Sequence, residues 1–351
     1  MGAFRHLRLC GKGVYIRIMQ YGGAESKTAL VLVSGGLDSV LAAKLLMHCG
    51  INVLGITFHT PFFGGDKARR SAELAGIDCR EADITAPHLE MLQAPRYGYG
   101  RNMNPCIDCH ILMVAEAYAR MESWGADFLA TGEVLGERPM SQNRAALDLV
   151  AKRSGAEGYL LRPLSAKLLE PTIHERMGLV PREALLDISG RGRRRQMELA
   201  ARWGIHEYQT PAGGCILTDK IFSQRLRDLM EMATSFAEGD IELLKKGRHF
   251  KSGAVKIVVG RNSRENECLE RLAGPGDTLM WERAHPGPTA LLRSYGDHID
   301  EAALAEASRL VGRYGKSKRP AGLAEMNIFR MDEQARRTER PPATSTVFKP
   351  T

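Results

Sequence analysis

The run "LVLVSGGLDSVLAA" at residues 30–43 constrains this chain more than any other feature. Ala29–Val33 is a short, nearly continuous apolar stretch, the pattern of a strand buried on both faces. Leu37, Val40, Leu41, Leu45 and Leu46 then recur at helical spacing. Between them stands Ser34-Gly35-Gly36, and two adjacent glycines cost backbone entropy unless the bare main chain is needed. A strand, a glycine turn and a helix N-terminus together make an anion cradle of inward N–H groups and positive helix dipole. No Gly-Lys-Ser or Gly-Lys-Thr follows, so the loop is not a Walker-type phosphate loop. An ordinary capped strand-to-helix connection is the plain alternative.

Apolar pattern and turn residues predict an alternation from Leu30 to about Ala130. Strands are expected at Ala29–Val33, Val53–Phe58, Asp78–Asp83 and Phe128–Ala130, and helices at Asp38–Cys49, Asp66–Ala75 and Ile111–Trp124. Such alternation implies a doubly wound parallel sheet with ligand at the carboxyl ends of its strands. The loop Ser34–Ser39, the loop after Phe58 and "ATGEVLGERPMSQ" would then share one cleft. Residues from Gln142 to Trp203 read as mainly helical, and a helical stretch after Thr218 ends near Gly247. A compositional change puts a domain boundary at about 235, giving an extension (1–26), a nucleotide domain (27–234), a smaller α+β domain (235–330) and a disordered tail (331–351).

The chain has 351 residues and a formal charge of +8, which suits two domains and an anionic partner such as nucleic acid. Seven cysteines form no evenly spaced framework. With no secretory signal and no apolar run long enough to span a bilayer, the expectation is a reduced, cytoplasmic protein. The basic stretch before the glycine turn reads as an extension, and Met19 is an equally good start.

"RNMNPCIDCH" carries Cys106 and Cys109 in a C-x-x-C turn, read as lying just ahead of a helix. Far along the chain, "TPAGGCILTD" carries Cys215. C-x-x-C alone fits zinc, redox chemistry or neither. Structural zinc wants four ligands, and no second C-x-x-C is present; His110 reads as a helix cap. Three thiolates at Cys106, Cys109 and Cys215 suit a [4Fe–4S] cluster with one open iron, onto which soft sulfide would bind. Cys10, Cys49, Cys79 and Cys268 read as buried, inert thiols.

The SGGxDS string resembles the pyrophosphate loop of the PP-loop ATP pyrophosphatase superfamily, whose fold is adenine nucleotide alpha hydrolase-like. Ser34, Gly35, Gly36, Asp38 and Ser39 would hold ATP phosphates, with Asp38 the expected carboxylate for Mg2+. The resemblance also implies nucleotide contacts at Gly55, Thr57 and Phe58, and at Thr131 and Gly132, although Gly132 serves equally as a plain turn. With the NPC-x-x-C loop and the later glycine-flanked cysteine, the chain is similar to tRNA thiolation enzymes over about Ala29 to Asp219. That similarity makes Cys106 the first catalytic cysteine and Cys215 the second. It implies ATP-dependent adenylation of a uridine oxygen, followed by sulfur delivered from the cluster or from a persulfide. A dipole at Cys106 would favour its thiolate. Lys44 and Lys167 are further phosphate candidates, with solvated surface lysine as the alternative.

Arg191, Arg193, Arg194 and Arg195 in "SGRGRRRQ" suit an RNA backbone. The segment "KIVVGRNSRENECLERLAGPGDTLMWERAHPGPTALLR" resembles the RNA-binding domain of NFACT proteins, with Arg248, Lys251, Arg261 and Asn262 as implied contacts. Met280-Trp281-Glu282 replaces that family's usual Trp-Phe-His. The expected partners are tRNA and a sulfur donor, either a cysteine desulfurase relay or free sulfide, with no membrane; the chain works alone or as a homodimer. A small-molecule substrate for the same loop and a non-catalytic RNA-binding factor remain the alternatives.

Overall fold

The computed structural model describes residues 27–206, 208, 215–315, 325–331 and 346–348. In chain order the elements begin β1 (Thr28–Leu32), α1 (Leu37–His48), β2 (Asn52–His59), α2 (Asp66–Leu74), β3 (Asp78–Asp83), α3 (Thr85–Gln93) and α4 (Cys106–Met121). Next come β4 (Phe128–Thr131), α5 (Arg144–Arg153), β5 (Leu160–Leu161), α6 (Ile173–Arg176) and α7 (Arg194–Arg202). The chain packs as two compact units. One comprises residues up to Phe58, Gly64–Asp83 and Cys109–Gly214; the other comprises His59–Phe63, Ile84–Asp108 and Cys215 onward.

The first unit is built on a parallel five-stranded sheet in the order β3-β2-β1-β4-β5. The reversal of direction from β1 to β4 is the topological switch point of a doubly wound sheet, where ligands of such folds bind. The central strand β1 is apolar throughout its middle because both of its faces are covered. Helix α1 buries Leu37, Leu41, Leu45 and Leu46 completely, and Val40, Ala42 and Ala43 with them. A helix buried on nearly every side must be apolar on nearly every side. Each such leucine contributes roughly 1.5–3 kcal/mol of burial. This buried spring fixes where the first turn of α1, and hence Asp38, can stand. β5 is a short fifth strand that the apolar pattern did not reveal.

The second unit continues with α8 (Lys220–Met232), α9 (Glu238–Leu244), β6 (Arg248–Ser252), β7 (Val255–Val259), α10 (Ser263–Leu272) and β8 (Thr278–Glu282). It ends with β9 (Ala290–Ser294), α11 (Glu301–Tyr314), β10 (Met326–Arg330) and β11 (Thr346–Phe348). Its sheet runs β11-β10-β8-β9-β7-β6, and its registered pairs are antiparallel. Alternation along β7 sends Ile257 and Val259 to the face covered by Leu304, Ala307 and Val311 of α11, and Val258 to the face with Leu269 of α10.

Packing corrects two expectations of domain layout. The second unit takes in His59–Phe63, Ile84–Asp108 and the chain from Cys215, where a boundary near 235 is expected, because Phe222, Leu226 and Leu229 of α8 form one apolar cluster with Phe62, Leu89, Leu92, Met103, Phe236, Ile241 and Leu244. The tail is not disordered throughout: Thr346–Phe348 adds an edge strand to β10, pairing Met326 with Phe348. The expected extension at 1–26 and the rest of the tail lie outside the described residues. Among the described residues no helix is long and apolar enough to cross a membrane.

Candidate phosphate loop and cysteine site

The ladder extends one residue past β1, with Val33 N donating to Ile56 O at 2.8 Å. The chain then turns through Gly35 at φ +77°, a left-handed conformation that glycine adopts without strain. Ser39 holds the turn: its Oγ donates to Gly36 O at 2.8 Å and accepts from Ser34 N at 3.3 Å. Ser71 Oγ ties in Gly35 O at 3.3 Å. The first N–H groups of α1 have no intrahelical acceptor, so the loop presents donors at the positive helix end.

Gly132, just past β4, is required by close approach. A Cβ there would lie 2.4 Å from Ser39 N and 2.6 Å from Asp38 O. The end of β4 thus presses directly on the first turn of α1. Gly55 is close-packed too, with a Cβ meeting Cys79 Sγ at 3.0 Å. Thr57 and Phe58 are buried near the end of β2.

Asp38 is the chemically distinctive group. Arg193 Nη2 donates to its Oδ2 at 3.3 Å, while Oδ1 is buried with no hydrogen-bond partner among the described residues. Burial raises the Asp38 carboxyl above the usual range against the opposing pull of Arg193 and Arg138. Burial also raises Glu137, with Asp38 adding to it, and Arg193 Nε lies 3.6 Å from Glu137 Oε1. Two raised carboxylates and an orphaned oxygen beside a phosphate cradle fit a hard cation, which takes one or two carboxylates plus phosphate oxygens. Glu137 was not singled out in the sequence, although it lies in a loop expected at the cleft. Arg193, expected on RNA, instead faces this loop, because Gly190 N donates to Leu135 O at 2.7 Å and draws its segment in.

The cysteine segment belongs to the second unit as far as Asp108. C-x-x-C does not precede the helix, as expected; it forms the first turn of α4. Asp108 fixes that turn by accepting from Arg96 N and Tyr97 N, each at 3.0 Å. Asn104 Nδ2 donates to Cys106 Sγ at 3.2 Å, and Asn104 Oδ1 accepts from Asn102 N at 3.1 Å. Asn102 Nδ2 reaches Thr218 O at 2.7 Å, and Thr218 Oγ1 donates to Cys215 O at 2.7 Å. A hydrogen-bonded path therefore joins the Cys106 and Cys215 segments. The glycine turn before Cys215 lies outside the described residues.

Among the described residues no three His, Cys, Asp or Glu side chains gather as a metal-binding group, and Cys106 Sγ is taken up by the Asn104 amide. Cys49 and Cys79 are half-buried thiols pushed up to about 11, chiefly by burial, as inert thiols are. Cys268 Sγ accepts from Arg271 at 3.2 Å, and Cys10 lies outside the described residues.

Comparison with known proteins matches residues 24–167 to the family model "Thiamine biosynthesis protein (ThiI)" and residues 247–347 to "NFACT protein RNA binding domain". The chain joins a PP-loop domain of the tRNA-thiouridylase type to an NFACT-type RNA-binding domain. The tRNA-specific 2-thiouridylase MnmA of Xanthobacter autotrophicus is 30% identical over 167 residues, covering 42% of this chain and 43% of that protein. MnmA of Bartonella tribocorum is 32% identical over 142 residues, covering 35% of each. The chain thus spans less than half the length of these relatives. A 4-thiouridine synthetase solved with RNA and bound ATP shares 19% identity at a TM-score of 0.35, covering 62% of this chain and 51% of that one.

In the PP-loop domain, His110 is not a helix cap. Its Nδ1 lies 2.8 Å from Glu133 Oε1, while Arg162 Nε donates to Glu133 Oε2 at 2.9 Å and Thr131 Oγ1 to the same oxygen at 3.1 Å. Glu133 is 8% exposed, and Arg162 and His110 hold its carboxyl far below the usual range against burial. Thr131 therefore serves this network, which follows β4 and braces the approach of Gly132. Lys44 is half-buried on α1, and Lys167 Nζ donates to Glu183 O at 2.7 Å.

Of the basic run, Arg191 is exposed, Arg194 lies 3.7 Å from Glu198, and Arg195 pairs with Asp187 at 2.7 Å. In the NFACT-type domain, Arg248 stacks over Tyr314 at 4.4 Å from the ring centre, and Lys251 lies 3.5 Å from Glu231. Arg261 is paired with Glu265 at 2.5 Å, and Asn262 caps α10 by accepting from Glu265 N at 3.0 Å.

Proposed function

We propose that this protein is an ATP-dependent tRNA sulfurtransferase that replaces a uridine carbonyl oxygen with sulfur. The observation that carries the reading is the hydrogen-bonded path from Cys106 through Asn104, Asn102 and Thr218 to the Cys215 segment. It links the chain segments that carry these two cysteines, far apart in sequence, and so supports a sulfur relay between them.

A uracil carbonyl oxygen is a poor leaving group. In the proposed reaction it attacks the α-phosphorus of ATP, the bond to the bridging oxygen breaks, and pyrophosphate is held by the Ser34–Ser39 loop. Asp38, with Glu137 beside it, would hold a magnesium ion that neutralises phosphate charge. Sulfur arrives as a persulfide on one thiol of the Cys106/Cys215 pair, its outer sulfur passed from the persulfide of a cysteine desulfurase relay as the donor cysteine leaves as a thiol. Its terminal sulfur attacks the activated ring carbon and AMP leaves with the oxygen. The second thiolate then attacks the remaining S–S bond, freeing the thiolated base and leaving a Cys106–Cys215 disulfide. A dithiol reductant restores both thiols. Cys106 stands in the first turn of α4, at the positive helix end.

ATP–pyrophosphate exchange tests the first half of this reading. Exchange that depends on added tRNA supports it. Exchange that proceeds fully with a small molecule and ignores tRNA would move the substrate to another class.

A further inference from the structure

The second unit contains a cavity of about 840 Å³ that lies outside every residue set assigned above to nucleotide or RNA. Arg101 lines it from the cysteine loop, Lys220, Arg225, Arg227 and Asp228 from α8, and His249 from β6. Asn102, which also lines it, is the residue that bonds to Thr218 in the Cys215 segment. We infer that this cavity binds the phosphodiester backbone of the RNA strand next to the uridine to be modified. The inference rests on the RNA-directed reading above and gives that reading a location.

Charge is the first support. Four cations face one carboxylate, and Asp228 is engaged by Gln224 Nε2 at 3.0 Å. Among the described residues none of Arg101, Lys220, Arg225 and Arg227 is paired with a carboxylate. Arg225 spends its donors on the Leu244 and Gly247 carbonyls, which orient it without cancelling its charge. Behind it Lys256 is only 2% exposed, and burial, with Arg225 and Lys251, pushes its ammonium down to about 8 although Asp228 opposes this. Burial, then Arg225 and Lys256, push His249 down to about 3. A bound anion offsets the mutual repulsion of cations gathered on one cavity wall.

His249 adds an acceptor suited to the sugar hydroxyls of a nucleic-acid strand. Its Nε2 lies 2.7 Å from Lys246 O, so the neutral ring donates there and keeps its lone pair on Nδ1. That Nδ1 has no partner among the described residues. A ribose hydroxyl can donate to it, which the acceptor-only oxygens of a phosphodiester cannot. The volume lies within the range of formed ligand sites, about 300–1,000 Å³. The cations implied by the NFACT resemblance are less available: Arg261 and Lys251 face Glu265 and Glu231.

The test is anisotropy of fluorescein-labelled tRNA with the full chain, across KCl concentrations, for wild type and Arg101→Gln/Lys220→Gln/Arg227→Gln. Each lost phosphate contact should remove about 0.9 from the log–log salt slope, so the slope should fall by about 2 to 3 and affinity at low salt by at least roughly 10-fold. Arg225 is left intact because it supports backbone carbonyls. If the triple variant does not fold, Lys220→Gln and Arg227→Gln alone should each lower the slope by about 1. Unchanged affinity and slope would overturn the inference. So would loss of inorganic pyrophosphate binding with tRNA affinity intact, since the cavity would then be a small-anion site. If wild type binds tRNA through these residues yet never thiolates it, the cavity assignment stands and the sulfurtransferase reading falls.

Discussion

Asn102 Nδ2 donates to Thr218 O at 2.7 Å, linking two segments separated by 116 positions in sequence. Through Asn104 and Thr218 this bond connects the segments that carry Cys106 and Cys215. Losing one hydrogen bond of this kind costs about 1–3 kcal/mol when its partner is left unsatisfied. Asn102→Ala and Asn104→Ala should therefore slow single-turnover sulfur transfer by roughly 5- to 100-fold. ATP–pyrophosphate exchange should change little. Equal losses in both assays would place the asparagines in nucleotide binding instead.

The close approach of Gly132 to Asp38 and Ser39 predicts a second outcome. Gly132→Ala puts a carbon where only backbone fits, and overpacking of this kind costs about 1–3 kcal/mol. ATP affinity should drop at least about 10-fold, measured by calorimetry, with a lowered melting temperature. Gly132→Ala with unaltered ATP affinity would mean that β4 does not position the loop.

How much of this was legible in the sequence divides along contact range. Ser34–Ser39 was readable because strand, turn and helix are consecutive, and Asp78–Asp83 reads as a strand by the same local logic. Helical apolar spacing begins at Ile111 and predicts the start of α4 there. The helix begins at Cys106 because Asp108 is anchored by the Arg96 and Tyr97 N–H groups, a contact that pattern cannot show. Arg193 was grouped with its arginine neighbours, yet its partner Asp38 is 155 positions away. Glu133 meets Arg162 only because β4 and β5 are adjacent in the sheet.

The Glu133 network should matter for stability more than for chemistry. Glu133→Gln leaves Arg162 buried without its carboxylate, and breaking such a pair costs about 3–5 kcal/mol. Arg162 and His110 depress the Glu133 carboxyl in the folded state, so its contribution is present above the unfolded value of about 4.3. It is lost as pH falls through the folded value. Denaturant melts at neutral pH should show the deficit of Glu133→Gln, and the gap to wild type should narrow in strong acid. A constant gap would mean that the charge is not responsible.

Asp38 and Glu137 predict the opposite sign. Their carboxyls are raised in the folded state, so the fold binds protons more readily than the unfolded chain, and their effect is to lower stability as pH rises through that raised range. Magnesium and ATP need the deprotonated forms. Affinity for MgATP should therefore weaken on acidification from neutral pH sooner than an ordinary carboxylate of about 3.9 would allow. Asp38→Asn should bind MgATP weakly at every pH and melt no lower than wild type at neutral pH. An affinity that is flat with pH in wild type would remove these carboxylates from the nucleotide site.

The most direct measurement is mass spectrometry of nucleosides from tRNA incubated with the purified protein, ATP, magnesium, a cysteine desulfurase with cysteine as persulfide donor, and a dithiol reductant. The account predicts an oxygen-to-sulfur mass increase on uridine that requires ATP and vanishes in both Cys106→Ala and Cys215→Ala. No thiolated uridine with wild type, or undiminished thiolation in either cysteine variant, would contradict it.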